Sequence, residues 1–344
     1  MMRWIGIAAI ALSSISVLAN DWLEGWNFKG DLRLRYEGTD YDSIIDPDTG
    51  ENIGSKDRNR GRFRLRLSID KKLSDQFSIG LRLASGVGEP TSTNQSLDDG
   101  FSGKEIWIDR VFVSYKFNQG QLNAGKIANP FETSDILWDG DVNPEGIAVS
   151  FGDKWFAHTG YFIVEEQSSR NDSQLLAGQF GGRFSRGLAA IGYYHYDDLS
   201  DAGLPSAGNT AAASDFHLLD GFFSFKFSDK FSGTAHVVRN IGEDAPDDVD
   251  AQDMAYGLTL AYGKAKKPGE WGLTYKYARI EPNAVLGAFA DSDFGFADRE
   301  GHRLGGAYQA NKWMSWSAAV FFIEKVTGSN GDFTRLQLDC NLKF

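Results

Sequence analysis

After its first twenty residues, the sequence lacks any apolar run of the about 18 residues that a membrane-spanning helix needs, so a helical membrane bundle is excluded. It has one cysteine, Cys340, and therefore no intramolecular disulfide, and no cysteine or histidine spacing is typical of structural zinc. Bases are outnumbered as well: 35 Lys and Arg against 47 Asp and Glu give a formal net charge of -12, which argues against a nucleic-acid partner. We expect no cofactor.

The N-terminus is typical of a secretory signal peptide. Arg3 provides a basic start, residues 5–18 are apolar apart from Gly and Ser, and residues 17–19 form a small-residue cleavage site. The pattern predicts residues 1–19 as the signal and residues 20–344 as one mature domain, since no shift in composition marks a boundary. An N-terminal anchor helix is the alternative, but the stretch is short and no basic stop-transfer cluster follows it.

Alternation of apolar and polar residues dominates the mature chain. Residues 62–69 read Arg-Phe-Arg-Leu-Arg-Leu-Ser-Ile, and residues 254–262 alternate large apolar with small residues. A period of two is typical of strands whose faces meet different surroundings. The pattern predicts sixteen strands, at residues 26–37, 61–73, 77–85, 104–117, 120–129, 146–151, 155–164, 172–184, 188–197, 214–227, 231–242, 251–262, 270–280, 298–310, 313–325 and 332–344.

The connections between these strands alternate in length. Tight turns, such as residues 118–119, alternate with long polar segments, such as residues 86–103. This alternation predicts an all-β fold: a transmembrane up-and-down antiparallel β-barrel of about sixteen strands, with short periplasmic turns and long extracellular loops. A soluble β-sandwich or jelly roll is the alternative, but it does not explain the alternating connection lengths.

The C-terminal segment has the cleanest alternation. Residues 336–344 are apolar at every even position and end on Phe344. This resembles the closing strand that the barrel-insertion machinery of bacterial outer membranes recognises. The same parity places Cys340 toward lipid as a small apolar side chain. The acidic segment 243–248 is a candidate for bridging divalent cations to lipopolysaccharide.

Four segments carry a family resemblance: residues 58–66, 83–95, 104–110 and 138–146. Together they resemble the putative porin family of Gram-negative outer membranes, closely over about the first 150 residues and by strand layout beyond them. The resemblance implies a water-filled pore in the outer membrane, in a homotrimer like that of general porins.

A row of arginines has the parity of the lumenal face. Arginine facing lipid costs about 2–4 kcal/mol near the bilayer midplane, so the lumen is the favourable location. The alternative is that these arginines pair with carboxylates in a plugged interior. The predicted pore-lining basic wall is Arg33, Arg35, Arg62, Arg64, Arg66, Arg82 and Arg110.

The segment at residues 130–145 combines carboxylates with apolar residues that are unusual in a solvated loop. It has the ordinal position of the loop that folds into general porins and narrows them, and we expect residues 136–138 to pack on the wall. We predict a constriction loop whose carboxylates face the arginines across a transverse field: Glu132, Asp135, Asp139 and Asp141. An ordinary acidic surface loop is the alternative, and the sign of the ion preference stays open.

Other motifs are weak. Residues 46–52 faintly resemble a calcium loop but lack its length and final Glu, so a turn is the better interpretation and no metal site is expected. The leading functional hypothesis is passive diffusion of small hydrophilic solutes. The alternatives are a substrate-selective channel and an outer-membrane lipid hydrolase using His195 and Asn240.

Overall fold

The computed structural model describes residues 24–42, 57–199, 202–210, 216–242, 251–328 and 331–344. The predicted signal peptide at residues 1–19, the segment at residues 46–52 and the acidic segment at residues 243–248 lie outside them. Across the described ranges, none of the helices combines the length and the apolar character needed to span a membrane.

The described residues form seventeen strands. They are β1 (Trp26–Tyr41), β2 (Arg58–Lys72), β3 (Phe77–Ser85), β4 (Gln95–Ser96), β5 (Ile106–Phe117), β6 (Gly120–Lys126), β7 (Glu145–Phe151), β8 (Trp155–Glu165), β9 (Ser173–Phe184), β10 (Gly187–Asp197), β11 (His217–Lys226), β12 (Phe231–Asn240), β13 (Met254–Gly263), β14 (Trp271–Ile280), β15 (Arg299–Gln309), β16 (Met314–Lys325) and β17 (Phe333–Lys343).

Sixteen of these strands form one closed antiparallel ring. Each pairs with its neighbours along the chain, and β1 pairs with both β2 and β17. At the seam the amide N–H of Gly30 donates to the carbonyl oxygen of Phe344 over 2.7 Å. The predicted all-β barrel of sixteen strands is confirmed. The short β4, which the periodicity did not predict, lies in the connection between β3 and β5 and pairs with β2.

The two faces of the wall differ as the alternation predicts. On β1, Leu34 and Tyr36 point outward and are 50% and 45% exposed, whereas Arg35 and Glu37 point inward and are 7% and 1% exposed. Cys340 pairs with Leu34 across the seam and shares its outward parity. On β1, apolar side chains therefore cover the outer face and charged ones the inner face.

Aromatic side chains form two bands on the outer face. The first band lies beside the short turns and consists of Phe77, Phe151, Trp155, Phe184, Phe227, Trp271, Tyr308 and Trp313. The second lies about six residues further along the strands: Tyr36, Tyr161, Tyr193 and Tyr256. Six residues of strand span about 20 Å. Two aromatic bands flanking an apolar one are what a barrel shows at the two interfaces of a membrane.

The wall predicts opposite responses to charge on its two faces. Leu258 lies mid-strand on the outer face of β13, and its neighbour Thr259 has the inner parity. We expect Leu258→Arg to lower the free energy of unfolding in lipid vesicles by about 2–4 kcal/mol, because it places a guanidinium in hydrocarbon. Thr234→Arg is the control, because Thr234 pairs with Thr259 on the inner face and lies opposite no cation; it should cost well under 1 kcal/mol. Equal losses in urea titrations would contradict the assigned faces.

Candidate functional site

The connection at residues 127–144 crosses the interior of the barrel. It begins after β6, and its Asp135 forms an ion pair with Lys276 on β14, with 2.8 Å between Oδ1 and Nζ. β6 and β14 are eight strands apart in either direction round the ring, so the loop spans the lumen. Ile136, Leu137 and Trp138 are 1%, 1% and 3% exposed and pack on the inner wall.

Two hydrogen-bonded anchors hold this loop to the wall. The indole N–H of Trp138 donates to the hydroxyl of Tyr196 on β10 over 3.0 Å. Earlier in the loop, Ser134 Oγ lies 2.8 Å from His236 Nδ1, and His236 Nε2 lies 3.1 Å from Asp220 Oδ2. The series Ser134, His236 and Asp220 has the residue types of a hydrolase relay. His236 and Asp220 are only 1% and 2% exposed, so no substrate reaches them. It acts as a buried link between loop and wall.

A second connection, residues 281–298, also folds inward and joins the first. Its Ala284 and Val285 are fully buried in the same apolar cluster. The N–H of Asp139 donates to the carbonyl of Phe289 over 2.7 Å, and the N–H of Asp291 donates to the carbonyl of Asp135 over 3.1 Å. The two connections therefore form one unit, called here the paired loops.

A third segment, residues 86–95, seals the edge of the paired loops against β2 and β3. The hydroxyl of Thr93 donates to Asp141 Oδ2 over 2.9 Å, and the hydroxyl of Ser292 donates to the carbonyl of Thr91 over 3.2 Å. The guanidinium of Arg33 donates to the side-chain oxygen of Asn94. Contacts from three connections thus meet beside the arginines of the wall.

All seven predicted arginines lie on the inner face, and five pair with carboxylates. The alternative interpretation was pairing with carboxylates in a plugged interior, but most of the observed partners lie on neighbouring strands of the wall itself. Arg35 pairs with Asp339 at 2.7 Å and Asp293 at 3.0 Å, Arg62 with Glu37 at 3.3 Å, Arg64 and Arg66 with Asp31 at 2.8 and 2.9 Å, and Arg82 with Asp109.

The remaining two, Arg33 and Arg110, have amide partners. Arg110 Nε donates to Asn143 Oδ1 over 2.6 Å, and in the described part of the chain neither guanidinium has a carboxylate at ion-pair distance. A register shift between β3 and β5 leaves Asp109 without a partner on β3, so Asp109 and Arg110 both turn inward.

The four predicted loop carboxylates do not share one environment. Asp141 alone contacts the predicted wall, with Arg66 Nη1 3.3 Å from its Oδ1. Glu132 pairs with Arg183 on β9 at 2.5 Å, and Asp135 pairs with Lys276. The expectation that all four face the arginines is therefore wrong for these two, because the loop meets other cations on its way across the lumen.

Asp139 has no cation at ion-pair distance among the described residues. Burial, with repulsion from Asp291, raises the pKa of Asp139 to about 8. The neighbouring Asp293 behaves in the opposite way: burial alone would raise its pKa, but Arg35 and Arg335 outweigh burial and hold it well below its usual range. Within the paired loops, the pKa values of Asp139 and Asp293 are therefore shifted in opposite directions.

The inward position of the second connection, residues 281–298, was not predicted from the sequence. Its residues 284–290 read Ala-Val-Leu-Gly-Ala-Phe-Ala, an apolar run like the one that identified residues 136–138. The wall carboxylates Asp31 and Glu37, which the alternation places on the inner face beside the arginines, were also not predicted. Lys276 and Arg335 have the same inward parity and had no assigned role.

The two residues considered for a lipid hydrolase do not come together. His195 has the outer parity of β10 and its ring lies 4.3 Å from that of His217. Asn240 is fully buried on the inner face of β12, where its side chain accepts from the N–H of His217 and donates to the carbonyl of Asn283. The wall separates the two side chains.

Solved structures of similar fold include a bacterial porin and OprB. A triple mutant of the Rhodopseudomonas blastica porin is 13% identical, with a TM-score of 0.56 over 93% of this chain and 100% of that one. OprB of Pseudomonas putida, in a high-pH structure, is 13% identical, with a TM-score of 0.61 over 96% of each chain. No curated protein sequence matches the chain.

A closed sixteen-stranded barrel with an apolar outer face and loops folded into a charged interior is an outer-membrane channel. The chain belongs to the putative porin family, whose model matches residues 46–218 and 223–344. The resemblance found in the sequence is confirmed over most of the chain.

The pKa of Asp139 predicts a pH-dependent ion preference. As the pH rises through about 8 this carboxyl ionises, so the cation-to-anion permeability ratio should rise between about pH 7 and about pH 9. In Asp139→Asn, reversal potentials under a salt gradient should stay flat over that interval. Asp153→Asn, at an exposed short turn, is the control and should titrate like the parent. An unchanged rise in Asp139→Asn would contradict the assignment.

The free energy of unfolding should fall as the pH rises, whereas the cation-to-anion permeability ratio should rise. The fall should extend over a wider pH interval. Because the folded pKa of Asp139 lies above the ordinary value of 3.8, the folded state binds this proton more tightly than the unfolded state. The contribution is complete at low pH and is lost as the pH rises from 3.8 through about 8. Urea midpoints of Asp139→Asn should therefore fall less with pH than those of the parent. Parallel midpoint curves would contradict the raised pKa.

Proposed function

We propose that the channel supports passive diffusion of small hydrophilic solutes and ions between the arginine wall and the paired loops. The observation that carries this proposal is the reach of one loop: Asp135 is bound to Lys276 on β14, and Asp141 is bound to Arg66 on β2. The loop therefore stands across the lumen and its edge meets the charged wall. Residues 130–145 act as the constriction loop, and residues 281–298 support it from behind.

Permeating solutes pass charges of both signs. Most wall arginines are neutralised by wall carboxylates, such as Glu37 and Asp339, so the field across the passage is weaker than seven free arginines would produce. The ion pair of Arg66 with Asp141 joins the predicted arginine wall to residues 130–145. Hydrophilic solutes can exchange hydration for these groups, whereas apolar solutes cannot.

The proposal extends to the cellular setting. Residues 1–19 direct export, the short turns face the periplasm, and the long loops face the exterior of a Gram-negative cell. The alternating segment ending at Phe344 is read by the insertion machinery before it pairs with β1. The outer bands of aromatic rings meet lipid and lipopolysaccharide, and three copies associate as a homotrimer. The channel performs no catalysis.

Planar-bilayer recording of the refolded protein tests the channel. We expect stepwise conductance increases, because the passage stays hydrated along the charged wall. Arg66→Gln should shift the reversal potential toward cation preference and Asp141→Asn toward anion preference, each by several millivolts in a tenfold salt gradient. Arg186→Gln, at an exposed short turn, is the control for a lost positive charge. A folded, inserted barrel without conductance would refute the diffusion function, and shifts of the same sign would remove this pair from the passage.

A further inference from the structure

A cavity of about 300 Å³ lies on the inner wall between β13 and β17 and reaches Arg35 on β1, which is the one member of the predicted arginine wall among its lining residues. Small inward residues create it: Gly305, Ala307, Ser317 and Ala319 line strands where larger side chains would fill the space. At about 30 Å³ per water, the cavity has room for about ten waters or one small organic molecule.

The cavity contains an arginine that no role described so far uses. Arg303 points inward from β15, beside Lys276 on β14 in the strand register. Its one hydrogen bond within the described ranges is a long one, 3.4 Å from Nη1 to Thr274 Oγ1. Its guanidinium lies over the ring of Phe321, 5.3 Å from the centroid, which fixes its plane.

The nearby carboxylates are engaged elsewhere. Asp135 binds Lys276 at 2.8 Å, and Asp291 lies 3.5 Å from the same ammonium group. On the far side of the cavity, Asp339 binds Arg35 at 2.7 Å. Within the described part of the chain, Arg303 therefore has no carboxylate at ion-pair distance, and the cavity keeps an excess positive charge.

We propose that this cavity is a binding subsite for a small anion bearing a carboxylate or phosphate group. Arg303 presents the planar guanidinium that such groups bind through two parallel hydrogen bonds. Thr274 and Ser317 line the cavity with hydroxyl groups that can donate to the remaining oxygens. The inference rests on the proposed diffusion function and names a solute class for it: small organic acids and phosphorylated molecules pause here during passage.

The subsite is tested by block of chloride current. Succinate and inorganic phosphate are added separately to refolded channels in a planar bilayer. For the parent we expect a current reduction that saturates with blocker concentration, and the lower half-blocking concentration identifies the preferred anion. Arg303→Gln should raise that concentration about ten- to a hundredfold, because charge-assisted hydrogen bonds are lost. Arg186→Gln removes a positive charge outside the lumen and should leave it unchanged.

A second variant removes the space and keeps the charge. Ala307→Leu fills the cavity and should also abolish block, which guards against misfolding of Arg303→Gln; heat-modifiable gel migration verifies that each barrel is folded. Unaltered block in both folded variants, or no block of the parent by either anion, overturns the subsite.

If the parent forms no channel at all, the diffusion function fails. Calorimetric titration of parent and Arg303→Gln with the same anions then decides the subsite: binding lost in the variant supports it, and equal or absent binding overturns it.

Discussion

Closure of the backbone hydrogen-bond ring is the constraint on which the rest of this structure depends. In hydrocarbon no water satisfies an open strand edge, so β1 must pair with β17 as well as with β2. Once sixteen strands close, alternate residues are committed to lipid or to the interior, and the interior is too wide for wall side chains to fill. The inward loops and the charged inner face both follow from that width.

The inner face shows how a channel can carry many arginines without a large net field. On β1, Asp31 lies two residues before Arg33, and Glu37 lies two residues after Arg35, so all four share the inner face. The carboxylates of Asp31 and Glu37 reach arginines of the next strand, β2. Local pairing orients these guanidinium groups and reduces the net field that they produce across the lumen. Among the described residues, Arg33, Arg110 and Arg303 are inward-facing arginines without a carboxylate at ion-pair distance.

The strands were predictable because their information is local. A period of two appears within any ten residues, and observed strands such as β8 and β16 begin or end within one residue of the predicted limits. The inner location of the arginines followed from the same parity. The partners of the loop did not: Asp135 and Lys276 meet only because a closed ring brings β6 and β14 to opposite sides of one lumen, and no local pattern encodes that distance. The role of residues 281–298 depended on the same long-range geometry.

The pairing of Asp293 with Arg35 joins residues 258 positions apart and has a consequence for assembly. Arg35 lies on the first strand, beside the seam, and its other partner Asp339 lies on the last. Closure of the seam and docking of residues 281–298 therefore share one guanidinium. A change at this one guanidinium therefore affects both the closure of the barrel and the width of its lumen.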